Sequence, residues 1–108
     1  MSASADFQSV MRRGAKSGRA TVIVYLRQTG YAESIAGFAV SRAVGGAVMR
    51  NRVKRRLRAI MADALPTLPP GSGVVIRALP RSADVDYVKL RRDVLDALST
   101  AQRKAALA

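Results

Sequence analysis

The sequence predicts an α+β fold, a small mixed sheet packed with helices, in the order helix, strand, strand, helix, strand, helix. Three observations lead there. The chain has 108 residues, enough for one compact domain over 1–108 with short flexible tails at both ends. Apolar residues recur at three and four in three segments, and β-branched residues gather in three short runs between them. Glycine and proline clusters at Gly45-Gly46 and between Pro66 and Gly73 separate these segments.

The first helix starts at Ser4, a suitable N-cap, carries Phe7, Val10 and Met11 at helical spacing, and ends at Gly14 after Arg12 and Arg13. A connector of small residues leads to a strand over Thr21–Arg27, with Val22, Val24 and Leu26 on one face and Ile23 and Tyr25 on the other. Polar residues 28–34 turn the chain into a second strand, Ile35–Ala43, in which Phe38 and Val40 share a face with Arg42. The next helix buries Val53, Leu57, Ile60, Met61 and Ala64, which fall within about 80° on the helical wheel. Val74–Leu79 reads as a buried strand. The last helix repeats Tyr87, Leu90, Val94, Leu98 and Ala101 at three and four, and Asp84 and Asp86 lie near its positive end. A helix between two strands of one sheet marks a parallel pair, but spacing alone leaves the adjacency of the second and third strands open.

Composition narrows the chemistry. Nineteen Lys and Arg against seven Asp and Glu give +12, which points to a polyanion and above all to nucleic acid. With 49% apolar residues the chain can fold, yet only five residues are aromatic, so the core is modest. There is no Cys and no His, which removes thiolate metal sites, the usual general base and every Ser-His-Asp triad. No apolar run approaches the roughly 20 residues that span a bilayer, and no signal peptide opens the chain. The expectation is a soluble, cytoplasmic protein.

Between Arg50 and Arg58 six of nine residues are cationic, and no acid occurs from Ser34 until Asp63. Like charges three and four apart on a helix repel by about 0.2–0.5 kcal/mol per pair, so such a run works against stability in an isolated protein. A row of phosphates reverses the sign. On the wheel Asn51, Lys54, Arg55 and Arg58 lie opposite the apolar stripe, Arg52 sits just beyond them, and Arg50 and Arg56 flank the stripe. Arginine outnumbers lysine five to one here, which suits bidentate phosphate contacts and base stacking. Composition does not separate RNA from DNA.

The run Gly46-Ala47-Val48-Met49-Arg50-Asn51-Arg52-Val53-Lys54-Arg55-Arg56-Leu57-Arg58 closely resembles the Arg-Asn-Arg signature helix of the bacterial ribonuclease P protein component. Asp6-Phe7, Gly14, the strand containing Tyr25, Gly37-Phe38-Ala39-Val40-Ser41-Arg42 and Val74-Val75-Ile76-Arg77 occur in that family's order and spacing, from Asp6 to about Gln102. The resemblance implies a subunit of an endoribonuclease that removes the 5′ leader of precursor tRNA. The RNA subunit performs the hydrolysis with Mg2+, and the protein binds no cofactor or metal of its own and supplies no catalytic residue. The implied partners are ribonuclease P RNA and precursor tRNA, with no membrane and no obligate protein partner. Arg50, Asn51, Arg52, Lys54, Arg55 and Arg58 would bind the catalytic RNA. Phe7, Met11, Tyr25, Ser41, Arg42 and Arg77 would receive the single-stranded leader in a cleft between the first helix and the sheet, where stacking and backbone charge act together. The resemblance also implies a left-handed crossover carrying the basic helix, against the general preference.

Three departures from the family pattern stand out. Met11 occupies a position where a second phenylalanine is common, replacing stacking with a softer contact. The chain reaches Asp6 without the basic residues that precede the first helix in many members. The cation of the third strand is Arg77, followed by Ala78, whereas relatives often carry it one place later, on the opposite face. An ordinary core role for Phe7 and Met11 at i and i+4 is the competing reading of the cleft. A ribosomal-type basic protein has the same charge and size, but not the motif run. A DNA-reading arginine helix lacks the dimerising heptads, and a protein-only nuclease needs clustered carboxylates, whereas the acids are scattered at 6, 33, 63, 84, 86, 93 and 96 and read as helix-start and surface residues.

Overall fold

The computed structural model describes residues 3–107. Helix α1 (Ala3–Arg13) is followed by strands β1 (Ala15–Gly18), β2 (Val22–Gln28) and β3 (Ile35–Ala39), helix α2 (Ala47–Ala64), strand β4 (Ser72–Ala78) and helix α3 (Tyr87–Leu107). Short 3-10 turns at Leu65–Thr67 and Pro80–Ala83 link the last elements. The sheet order is β1-β2-β4-β3, with β1–β2 and β2–β4 antiparallel and β3–β4 parallel. The two strands flanking α2 are therefore neighbours, and α2 is the crossover between them.

Period-two alternation divides the sheet into two faces. Val22, Val24, Leu26, Val74, Ile76 and Ala78 face the main core, where Val53, Leu57, Ile60 and Met61 of α2 meet Leu90, Val94, Leu98 and Ala101 of α3. The opposite face is a thinner layer in which Val10 of α1, Tyr25 and Val75 are buried, with Phe7 and Ile23 packed against them. Glycines seat α1 there. A Cβ on Gly37 would stand 2.8 Å from the Phe7 ring, and one on Gly73 would stand 2.8 Å from Val10.

Several expectations need correction. The connector after α1 contains β1, whose sequence Ala-Lys-Ser-Gly has little β-propensity of its own and is held in place by pairing with β2. The strand expected over Ile35–Ala43 stops at Ala39. Ser41–Gly45 instead form turns, with Val44 N–H donating to the Ser41 carbonyl and Gly45 N–H to that of Arg42, so Arg42 is not a strand residue. Gly14 does not end α1 through a left-handed conformation; a side chain is excluded because its Cβ would come within 2.4 Å of the Val10 carbonyl oxygen. Helix α3 runs on to Leu107. Residue Ser4 lies inside α1, after Ala3, and its side chain falls outside the described set.

Candidate nucleic-acid interface

Helix α2 buries Val53, Leu57, Ile60, Met61 and Ala64, the five residues the periodicity selects. The same 100° step that turns this stripe inward turns Asn51, Arg52, Arg55 and Arg58 to solvent, with Arg50 and Lys54 half-buried at its borders. Among the described residues none of these six side chains has a hydrogen-bond or ion-pair partner, and Arg50 Nε is buried without an acceptor. Arg56 differs: it donates to the Val85 carbonyl oxygen at 3.1 Å and ties α2 to the segment before α3. The helix begins at Gly46, which is extended and offers no side-chain cap, and no acid occupies the first turn. Free N–H groups and the positive end of the macrodipole thus adjoin Arg50. The result is one continuous ridge of unneutralised donors.

The second set lies on the other face of the sheet. The strand register places three rows there. Arg27, Gly73 and Ile35 form the first, under α1. Lys16, Tyr25, Val75 and Gly37 form the second, and Gly18, Ile23, Arg77 and Ala39 the third. Phe7 covers the Gly37 end of the middle row and Val10 covers Gly73, so α1 walls off one side of the sheet and leaves the outer row open. Arg77 is exposed on that row, and Ser41 and Arg42 stand exposed just past the end of β3. Arg77 therefore does face α1's side of the sheet.

Within this set the residues are not equivalent. Met11 is 36% exposed, Phe7 is half-buried, and Tyr25 is only 6% exposed, packed among Val10 and Val75 with Lys16 Nζ 5.8 Å above its ring. Tyr25 thus presents little stacking surface. The sequence reading passed over Lys16 and Ile23, which share rows with Tyr25 and Arg77. The signal was available: once Ala15–Gly18 pairs with β2, period two brings Lys16 onto the face of Tyr25.

Other charges hold the scaffold. Arg19 donates to the Asp96 carbonyl oxygen at 3.2 Å and to Thr100 Oγ1 at 2.9 Å, joining the β1–β2 turn to α3. Asp93, expected at the surface, is buried instead, accepting from Thr21 Oγ1 at 2.7 Å and from Lys89 Nζ at 2.9 Å. Burial raises its carboxyl pKa, but donation from Lys89 and Thr21 outweighs that and holds it below the ordinary value. Among the described residues no three acidic side chains gather at one point, and no helix is long and apolar enough to cross a membrane.

Comparison with known proteins agrees with this geometry. The family model described as Ribonuclease P matches residues 1–102. The ribonuclease P protein component of Streptomyces bikiniensis is 50% identical over 102 residues, covering 86% of this chain and 83% of the relative. That of Kocuria rhizophila is 45% identical over 106 residues, covering 98% and 94%. In fold, the chain is similar to a Staphylococcus aureus RNase P protein, with a TM-score of 0.84 at 21% identity over 94% of this chain and 86% of that one. It is also similar to the RNase P protein of Thermotoga maritima, with a TM-score of 0.77 at 25% identity over 89% and 94%. The ridge, the sheet and the matched span converge on one assignment, and the chain belongs to the ribonuclease P protein component family.

Proposed function

We propose that this subunit of ribonuclease P, the endoribonuclease that matures tRNA 5′ ends, grips the catalytic RNA along Arg50, Asn51, Arg52, Lys54, Arg55 and Arg58 and holds the 5′ leader of precursor tRNA on the face shared by α1 and the sheet. The observation that carries this reading is the row of α2 cations without a partner among the described residues, beside a helix start with no side-chain cap. Six donors on one side of a helix match a phosphate backbone, while Arg56, bonded internally, belongs to the fold. The leader lies against Phe7 and Met11 and over the outer row, with Arg77, Ser41 and Arg42 at the phosphates. Tyr25 supports the floor from beneath. Divalent metal and hydrolysis belong to the RNA, the protein's part is to position strands, and the assembly works in the cytoplasm.

Reconstitution tests this. The purified protein added to a bacterial ribonuclease P RNA at low magnesium is expected to raise precursor tRNA cleavage well above that of the RNA alone. No stimulation, or hydrolysis by the protein without RNA, overturns the assignment of roles.

A further inference from the structure

We propose that the β1 edge of the sheet carries a second RNA subsite, which takes a leader nucleotide farther from the cleavage point than those held on the sheet; this rests on the leader reading above. Two adjoining cavities lie where the last turn of α3 meets the end of β2. One, of 390 Å3, is lined by Arg13, Arg27 and Lys104. The other, of 350 Å3, is largely apolar, with Leu26, Pro69 and Ala106 at its walls and the amides of Gln28 and Gln102 at its edge. They share Leu26, Gln28 and Ala105, so a phosphate in the first leaves its base facing the second. Among the described residues no carboxylate lines either one, whereas two further cavities along α3 include Asp63 or Asp96.

Two of the three cations are held in place. Lys104 Nζ donates to the Lys16 carbonyl oxygen at 2.7 Å, and Arg27 donates to Ser9, each keeping further N–H groups free. Arg13 is exposed and has no partner among the described residues. The path fits as well. Helix α2 starts shortly after Arg42, so the ridge adjoins the end of the sheet groove marked by Ser41, Arg42 and Arg77. A leader leaving the catalytic RNA there runs along the outer row over β3, β4 and β2 to Gly18 on β1, two residues from Lys16, whose carbonyl anchors Lys104. The competing account is that Arg13 and Lys104, in the last turns of α1 and α3, offset helix dipoles. Two such ends amount to about one negative charge, fewer than the three cations gathered here.

The test uses the holoenzyme with precursor tRNAs whose leaders lengthen one nucleotide at a time, leaderless tRNA as control, and the double variant Arg13→Ala with Lys104→Ala. Affinity is expected to rise about tenfold as the leader passes the sheet, the worth of one stacked base with its phosphate. The double variant loses that gain alone, and its salt slope for long leaders falls by about 0.7 per lost contact. Gln102→Trp, which fills the apolar cavity and leaves every cation in place, is expected to abolish the same gain. A gain that survives both variants overturns the subsite, as does an equal loss for leaderless tRNA or a lowered melting temperature with the length dependence intact. Short leaders that bind no better than leaderless tRNA sink the sheet reading itself; short leaders that bind better, with no gain from longer ones, sink only the subsite.

Discussion

Replacing Arg52 and Arg55 together by alanine should move stability and RNA affinity in opposite directions. Both side chains are exposed and have no partner among the described residues, so their loss removes no contact that holds the fold. Arg52 lies three and four residues from Arg55 and Arg56, Arg55 lies three from Arg58, and like charges at those spacings repel by about 0.2–0.5 kcal/mol per pair. The double variant relieves all three pairs, and alanine is the best helix former, so the free protein should gain about 0.6–1.5 kcal/mol. Binding should weaken. If each arginine neutralises one phosphate, the slope of log K against log salt falls by about 0.7–0.9 per residue, or about 1.4–1.8 for the pair. Thermal unfolding of the free protein and filter binding of catalytic RNA at several KCl concentrations measure the two effects. An unchanged slope would mean that neither guanidinium reaches phosphate, and a destabilised protein would mean that the ridge serves the fold. Either result refutes the reasoning.

For the leader face, Phe7→Ala should weaken precursor tRNA by about 1–3 kcal/mol and leave mature tRNA alone if a base stacks there; equal losses for both would mark Phe7 as a core residue only. Gly37→Ala pushes a methyl to 2.8 Å from the same ring and should reproduce that defect by tilting it, with β3 still paired to β4 in amide exchange. Asp93, whose folded pKa lies below its unfolded value, contributes stability that is complete above about pH 4 and fades as pH falls through the folded pKa. Asp93→Asn should therefore flatten the acid limb of the stability curve, and an unchanged acid limb would deny the Thr21 and Lys89 bonds their role. With +12 on a small core, sulfate or phosphate should raise the melting temperature more than chloride at equal ionic strength, and equal effects would show that bound anions do not stabilise the fold.

The parts of this fold legible in the sequence are those where a single element decides its own orientation. Helix α2 is the clearest case: its five buried residues and its exposed cations follow from 3.6 residues per turn, with no tertiary information needed. The faces of β2 follow equally from period two. What escaped the sequence depends on partners far along the chain. Ala15–Gly18 becomes a strand only because β2 lies beside it, and Lys16 joins the face of Tyr25 only as a consequence. Asp93 resembles a solvent-facing helical acid until Thr21, 72 positions away, closes over it. Tyr25 reads as an exposed aromatic beside arginines, yet Val10 shields it, because the angle at which α1 crosses the sheet is set by the absence of side chains at Gly37 and Gly73. The third strand shows the same limit: the resemblance implies a contact at Arg77 although relatives often carry the cation one place later, on the opposite face, and only the register with Ile23 and Ala39 shows that Arg77 lies on the open row of the α1 face.

These cases divide the cations into two populations with different physics. Arg19, Arg56 and Lys104 donate to carbonyl or hydroxyl oxygens of the protein and join elements distant in sequence, Lys104 with N–H groups to spare, while Lys89 pairs with Asp93 one turn along α3. Among the described residues Arg52, Lys54, Arg55 and Arg58 donate to nothing, and their mutual repulsion is a cost that the free protein bears along α2. A helix with such a surface persists because its opposite side buries Val53, Leu57 and Ile60 completely, each side chain worth about 1.5–3 kcal/mol. The apolar stripe is therefore what permits the ridge: it offsets repulsion that bound phosphates would turn into attraction. It follows that truncating the stripe, as in Leu57→Ala, should lower affinity and stability together, whereas truncating the ridge separates them. That difference in sign, rather than the size of either effect, distinguishes a residue that holds the surface in shape from one that touches RNA.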